Sequence, residues 1–207
     1  VQIDWGDGES DLLSLTTGER SFSGSHQYLD DNPTGTPFDN YVLTVTVTDD
    51  NDSGTVNTAV TVNNLAPELG ALAATDVAEG GTTTLSGTIT DPGTQDAFTL
   101  EVNWGDGTPL ETFTYAAGTT TFSENHQYLD DDPRGTPADM HNIEVKLIDD
   151  DSGSDGNSAA LMVSNLAPVI IELVSSAPTP GSSADEVTVS AKFTDAGILD
   201  THSATIN

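Results

Sequence analysis

Trp5-Gly6-Asp7-Gly8 returns as Trp104-Gly105-Asp106-Gly107, 99 residues further along the chain. A large ring followed by two glycines around an aspartate predicts a tight turn. The glycines supply positive φ, the aspartate satisfies turn amides, and the tryptophan anchors a core. Working outward, His26-Gln27-Tyr28-Leu29-Asp30-Asp31 returns at residues 126–131, Gly35-Thr36-Pro37 at 135–137, and Asn64-Leu65-Ala66-Pro67 at 165–168. The repeat unit is therefore about 100 residues long. After Pro168 a third copy begins, because Phe193-Thr194-Asp195-Ala196-Gly197 and Asp200 match Ile89-Thr90-Asp91-Pro92-Gly93 and Asp96.

Between these landmarks the chain alternates. Leu43 to Thr48 reads L-T-V-T-V-T, Thr82 to Thr90 and Val187 to Thr194 alternate likewise, and Gly, Asp and Pro separate them. Period-two strands spaced by turn residues, with no helical periodicity, predict an all-β chain of tandem immunoglobulin-like antiparallel β-sandwiches. The repeats divide it into residues 1–66, a unit lacking its first two strands, residues 67–167, a complete unit, and residues 168–207, the first strands of a third. The last segment stops at Asn207, the equivalent of Asn103, so tail and head are complementary. Strand donation from one chain to the head of the next would join identical chains head to tail. A window cut from a longer repeat protein has the same ends.

The order Thr90-Asp91-Pro92-Gly93, Trp104 to Gly107, His126 to Tyr128, then Ile148-Asp149-Asp150-Asp151 resembles the PKD-type immunoglobulin-like domain found in large bacterial extracellular repeat proteins. The residues themselves give these motifs a mainly structural role, with Gly105 and Gly107 for the turn, Asp106 for its amides and Trp104 for the core. Tyr28 and Tyr128 stand where a tyrosine corner would, and the adjacent histidines pack or cap. Leu29 to Asn40 and Leu129 to Met140 are insertions that the family pattern lacks.

Four Lys and Arg against 34 Asp and Glu give a formal charge of −30, which excludes general affinity for nucleic acid or an anionic membrane. The natural counterions are metal cations. Without cysteine there is no disulfide framework, thiolate site or cysteine nucleophile. No apolar run approaches a spanning helix, so no membrane insertion is expected. A nucleophile elbow, a phosphate loop and a His-rich metal motif are all missing, and the reading is not an enzyme. The acidic, Thr- and Gly-rich composition suits an extracellular or cell-surface location.

Calcium takes six to eight hard oxygen ligands from loop carboxylates and carbonyls. Asp49-Asp50-Asn51-Asp52-Ser53-Gly54 and Asp30-Asp31-Asn32-Pro33-Thr34-Gly35 have suitable spacing, with counterparts at Asp149, Asp150 and Asp151 and at Asp130 to Asp132. In a sandwich of this kind the loop carrying Asp91 and Asp96 lies at the same end as Asp149 to Asp151, so these carboxylates should meet. Asp195 and Asp200 repeat the pattern in the third copy. The candidate calcium (Ca2+) ligands are therefore Asp30, Asn32, Asp49, Asp50, Asp52, Asp91, Asp96, Asp130, Asp132, Asp149, Asp150, Asp151, Asp195 and Asp200. The short connector Asn63 to Pro67 places them near a junction between units. The resulting expectation is a structural or adhesive array, a calcium-stiffened rod or filament, with neighbouring repeats as its partners and surface glycans as a second class. The alternative is a non-catalytic spacer or polysaccharide-binding module of a large secreted enzyme, which would expose an aromatic platform. Phe38 and Tyr115 are the rings free to form one.

Overall fold

The computed structural model describes residues 1–32, 35–133, 135–176 and 186–206. Pro33, Thr34 and Arg134 of the insertions, and Asn207, lie outside the described residues. All regular structure within them is strand, and no helix is long and apolar enough to cross a membrane.

The first repeat supplies one antiparallel sheet. It contains β1 (Gln2–Asp4), β2 (Ser10–Leu12), β3 (Phe38–Thr48) and β4 (Ser53–Asn63), ordered β2-β1-β3-β4. In the second repeat two sheets face one another. One is formed by β5 (Glu68–Leu69), β7 (Thr82–Thr90) and β10 (Thr121–Gln127), in the order β10-β7-β5. The other holds β6 (Val77–Ala78), β8 (Phe98–Asn103), β9 (Glu111–Tyr115), β11 (Ala138–Asp149) and β12 (Ser154–Ser164), in the order β6-β12-β11-β8-β9. Every pairing is antiparallel except β6 with β12. A hairpin of β13 (Val169–Ser175) and β14 (Val189–Thr194) begins the third repeat.

Alternation makes the sandwich. Along β11, His141, Ile143, Val145 and Leu147 are buried while the residues between them are exposed. Ile143, Val145 and Leu147 share one core with Leu85 and Ile89 of β7, Phe122 of β10, and Leu100 and Val102 of β8. Strand formation depends on such partners. Residues 21–27 carry the same His-x-Tyr approach as β10, yet form no strand. β10 is held by β7, and β7 has no counterpart within residues 1–66. For the same reason β13 and β14 leave Ile170, Leu173 and Phe193 exposed, since no second sheet covers them among the described residues.

The turn motif ties the sheet ends together. Trp104 is fully buried, stacks on the His126 ring at 4.5 Å and donates its indole N–H to Glu111 at 3.0 Å. His126 Nε2 lies 2.8 Å from Asp106, whose other oxygen accepts the Thr108 amide, and the buried Tyr128 hydroxyl donates to the Trp104 carbonyl at 2.7 Å. Burial alone would raise the Asp106 carboxyl, but hydrogen bonds from His126 and Thr108 outweigh it and hold it below its ordinary value. The first repeat has the same knot: Trp5 stacks on His26 at 5.1 Å, His26 meets Asp7 at 2.5 Å, and Tyr28 donates to the Trp5 carbonyl at 2.9 Å. These histidines pack and cap. Gly105 sits at φ +78°, where a Cβ would stand 2.5 Å from the Asn142 carbonyl oxygen, so glycine is required by both conformation and space.

Candidate metal centres at the repeat junctions

Carboxylates gather at both ends of the second repeat. At the first junction, oxygens of Asp91, Asp96 and Asp149 lie within 4.8 Å of one another, as do those of Asp96, Asp150 and Asp151 and those of Asp30, Asp31 and Asp151. Asp91 and Asp96 come from the β7–β8 loop and Asp149 to Asp151 from the β11–β12 turn, so sandwich topology brings them together. Asp30 and Asp31 reach in from the preceding repeat. At the second junction Glu79, just after β6, clusters with Asp130 and Asp131 of its own repeat and with Asp195 and Asp200 of the next.

Backbone amides hold several of these side chains in place. Asp149 accepts the amides of Asp151 at 3.0 Å and Gly153 at 2.6 Å through one oxygen, and the Asn64 side-chain amide at 2.9 Å through the other. The connector is thereby fastened to the loop. Asp150 accepts the Ala97 amide at 2.9 Å, and Asp91 accepts that of Gly93 at 2.9 Å. Asp151 accepts amides from Gly35 and, at 3.1 Å, Thr36, both in the insertion of the first repeat. The insertion is a clasp between repeats. Glu79 accepts the Leu166 amide at 2.7 Å, which fastens the second connector in the same manner.

Other oxygens of the same clusters have no protein donor. Both oxygens of Asp96, and one oxygen each of Asp31, Asp91, Asp151, Glu79, Asp131 and Asp195, are buried without an N–H or hydroxyl donor, and Asp96 and Asp31 instead face the carboxyls of Asp30 and Asp151. Asp96, Asp131, Asp151 and Glu79 are each 1% exposed. Two full charges 4.8 Å apart repel by about 3–4 kcal/mol at an effective dielectric near 20. The carboxyls respond as expected. Burial, reinforced by Asp30 and Asp91, pushes Asp96 up to about 8, and burial followed by the charge of Asp151 pushes Asp31 up to about 6. Glu79, Asp91 and Asp131 are raised as well, again by burial first and neighbouring carboxylates second. With only four Lys and Arg in the chain, side-chain cations cannot balance such clusters throughout.

The structure thus assembles Asp91, Asp96, Asp149, Asp150 and Asp151 as their loop positions required, adds Asp30, and places Asp130, Asp195 and Asp200 around Glu79. Asp49, Asp50, Asp52, Asn32 and Asp132 are exposed and belong to no three-carboxylate cluster among the described residues. Asp49 accepts the amides of Asn51 and Asp52, both at 2.9 Å, in an ordinary aspartate turn. Three participants were not singled out from sequence: Asp31, Asp131 and Glu79. The first two lie in the repeated Leu-Asp-Asp stretch, whereas Glu79 stands alone before Gly80-Gly81 and carries no motif. Of the two candidate platform rings, Phe38 is exposed, but Tyr115 packs on Phe122 and donates its hydroxyl to Glu124 at 2.6 Å. A scan against protein-family models and a search of curated proteins each return no match to this chain.

Proposed function

We propose that this chain is a stretch of an extracellular structural or adhesive array of PKD-type, immunoglobulin-like repeats, whose junctions are locked by calcium. The observation that carries the reading is Asp96: both its oxygens are buried without a donor, among carboxylates contributed by two successive repeats. A buried carboxylate in that position needs a cation or a proton. Clustered carboxylate oxygens on bent loops suit calcium, which accepts many oxygen ligands in flexible geometry, better than zinc, which favours nitrogen and sulfur, or magnesium, which sheds water reluctantly. Because the ligands come from both sides of a short connector, an ion there holds one repeat against the next as well as stabilising each loop. The function is mechanical and not enzymatic. The alternative of a polysaccharide-binding module needs an aromatic platform, and of its two candidate rings Phe38 is exposed while Tyr115 is packed on Phe122.

Thermal unfolding of the 207-residue chain tests this reading. A calcium concentration one-hundredfold above the dissociation constant adds about 2.7 kcal/mol to the bound repeat. The expected result is a melting temperature that rises by several degrees in calcium and falls back in chelator; equal melting temperatures in the two would refute it.

A further inference from the structure

The carboxylate clusters overlap, and the overlap has a pattern. At the first junction Asp96 belongs to two triads, one with Asp91 and Asp149 and the other with Asp150 and Asp151. Both its oxygens are without a donor, so each can serve a different ion. At the second junction Glu79 is likewise common to two triads, one with Asp130 and Asp131 and the other with Asp195 and Asp200. Glu79 Oε2 is buried without a donor, while Oε1 is anchored by the Leu166 amide. In each case the shared residue belongs to the second repeat and is 1% exposed.

Resting on the reading of these clusters as calcium sites, we infer that each junction binds a pair of divalent cations bridged by one shared carboxylate, Asp96 at the first and Glu79 at the second, and that each pair fills cooperatively. Charge decides between one ion and two. The second junction gathers five carboxylates, Glu79, Asp130, Asp131, Asp195 and Asp200, so one dication leaves three uncompensated negative charges and two leave one. The two triads that share Asp96 likewise gather five, Asp91, Asp96, Asp149, Asp150 and Asp151, with the same balance; Asp30 and Asp31 form a further triad with Asp151, outside the Asp96 pair. The bridging carboxylate couples the two positions. The first ion fixes its orientation and draws in the neighbouring loop, so the second ion meets a site already assembled. A junction with this design stiffens over a narrow range of calcium concentration, and it needs both repeats in contact, because the Glu79 pair takes Asp195 and Asp200 from the following repeat.

Calcium binding to the 207-residue chain can be counted by equilibrium dialysis at physiological salt, alongside calorimetric titration. Wild type, Glu79→Gln, Asp96→Asn and the exposed-loop control Asp50→Asn should be compared, with circular dichroism in chelator as the check on folding. The expected result is two ions for each bridged pair, with a Hill coefficient above one. Glu79→Gln should lose both ions of the second junction and leave the first intact, Asp96→Asn should do the reverse for the Asp96 pair, and Asp50→Asn should match wild type. One ion per junction with a Hill coefficient of one would overturn the bridged pair while leaving the calcium reading in place. No saturable binding would overturn both. Loss of a single ion in Glu79→Gln, with the other retained at unchanged affinity, would show that Glu79 does not bridge.

Discussion

Replacing Asp96 by asparagine should change stability in opposite directions with and without calcium. The substitution preserves size and removes the charge, and the new amide N–H groups face the carboxylates of Asp30 and Asp91. In chelator at pH 7 the wild-type protein must hold a proton on Asp96, since its carboxyl lies at about 8 in the fold. Keeping protonated at pH 7 a group that titrates near 3.9 when unfolded costs about 4 kcal/mol. Local relaxation and an effective dielectric near 20 even at buried sites reduce the net figure to about 1–2 kcal/mol. Asp96→Asn should therefore raise the melting temperature in chelator by about 5–10 °C for a unit of roughly 100 residues. In calcium the order reverses, because the variant forfeits the linkage stabilisation, about 4 kcal/mol for each ion present at a thousandfold excess over its dissociation constant. Differential scanning calorimetry of both proteins in calcium and in chelator reads the crossover directly. A variant less stable in both conditions would refute the reasoning, since Asp96 would then be serving the fold through ordinary contacts.

In chelator the wild-type melting temperature should fall as pH rises from about 4 to 8: the folded-state carboxyls of Asp31 and Asp96 are raised, so their contribution is fully present below their unfolded value near 3.9 and is lost as pH passes about 6 and then about 8. In calcium the trend should flatten or invert, because binding requires the deprotonated ligands; a pH series of melts in each condition checks this. Tyr128→Phe strands the buried Trp104 carbonyl and should cost about 1–3 kcal/mol in urea unfolding, whereas the partly exposed Tyr28 should cost less for the same change. Leu100→Ala, at a fully buried position in the centre of the sandwich, should cost about 2–5 kcal/mol by the same assay. Gly105→Ala should destabilise well beyond Gly107→Ala: both glycines have positive φ, but a Cβ at 105 meets the Asn142 carbonyl while one at 107 meets nothing within 4 Å.

The parts legible in the sequence were those written in local pattern. Alternation along Thr82 to Thr90 marked β7 as a strand with one buried face, because a pleated strand sends neighbouring side chains to opposite sides. The meeting of Asp91 and Asp96 with Asp149 to Asp151 followed from loop order in a sandwich. Exposed loops were harder to read. Asp49 to Gly54 has a spacing that suits a chelating loop, yet the same spacing suits an aspartate turn, and the Asp49 hydrogen bonds are those of the turn. In the repeated Leu-Asp-Asp stretch nothing periodic tells which carboxylate faces inward, and Asp31 and Asp131 prove more deeply buried than Asp30 and Asp130. Glu79 was out of reach, because its role comes from where the strand ends β6 and β14 meet in space and its position has no counterpart within residues 1–66. Residues 21–27 make the complementary point: a strand-forming sequence stays irregular where the strand that would pair with it is not at hand.

Small-angle X-ray scattering from the 207-residue chain, recorded in calcium and then in chelator, tests the locking of the junctions most directly. The account predicts a pair-distance distribution that fits one fixed arrangement of repeats in calcium and broadens into that of a flexibly jointed chain when calcium is withdrawn. Superimposable curves in the two conditions would contradict it, and would leave the junction carboxylates without a mechanical role.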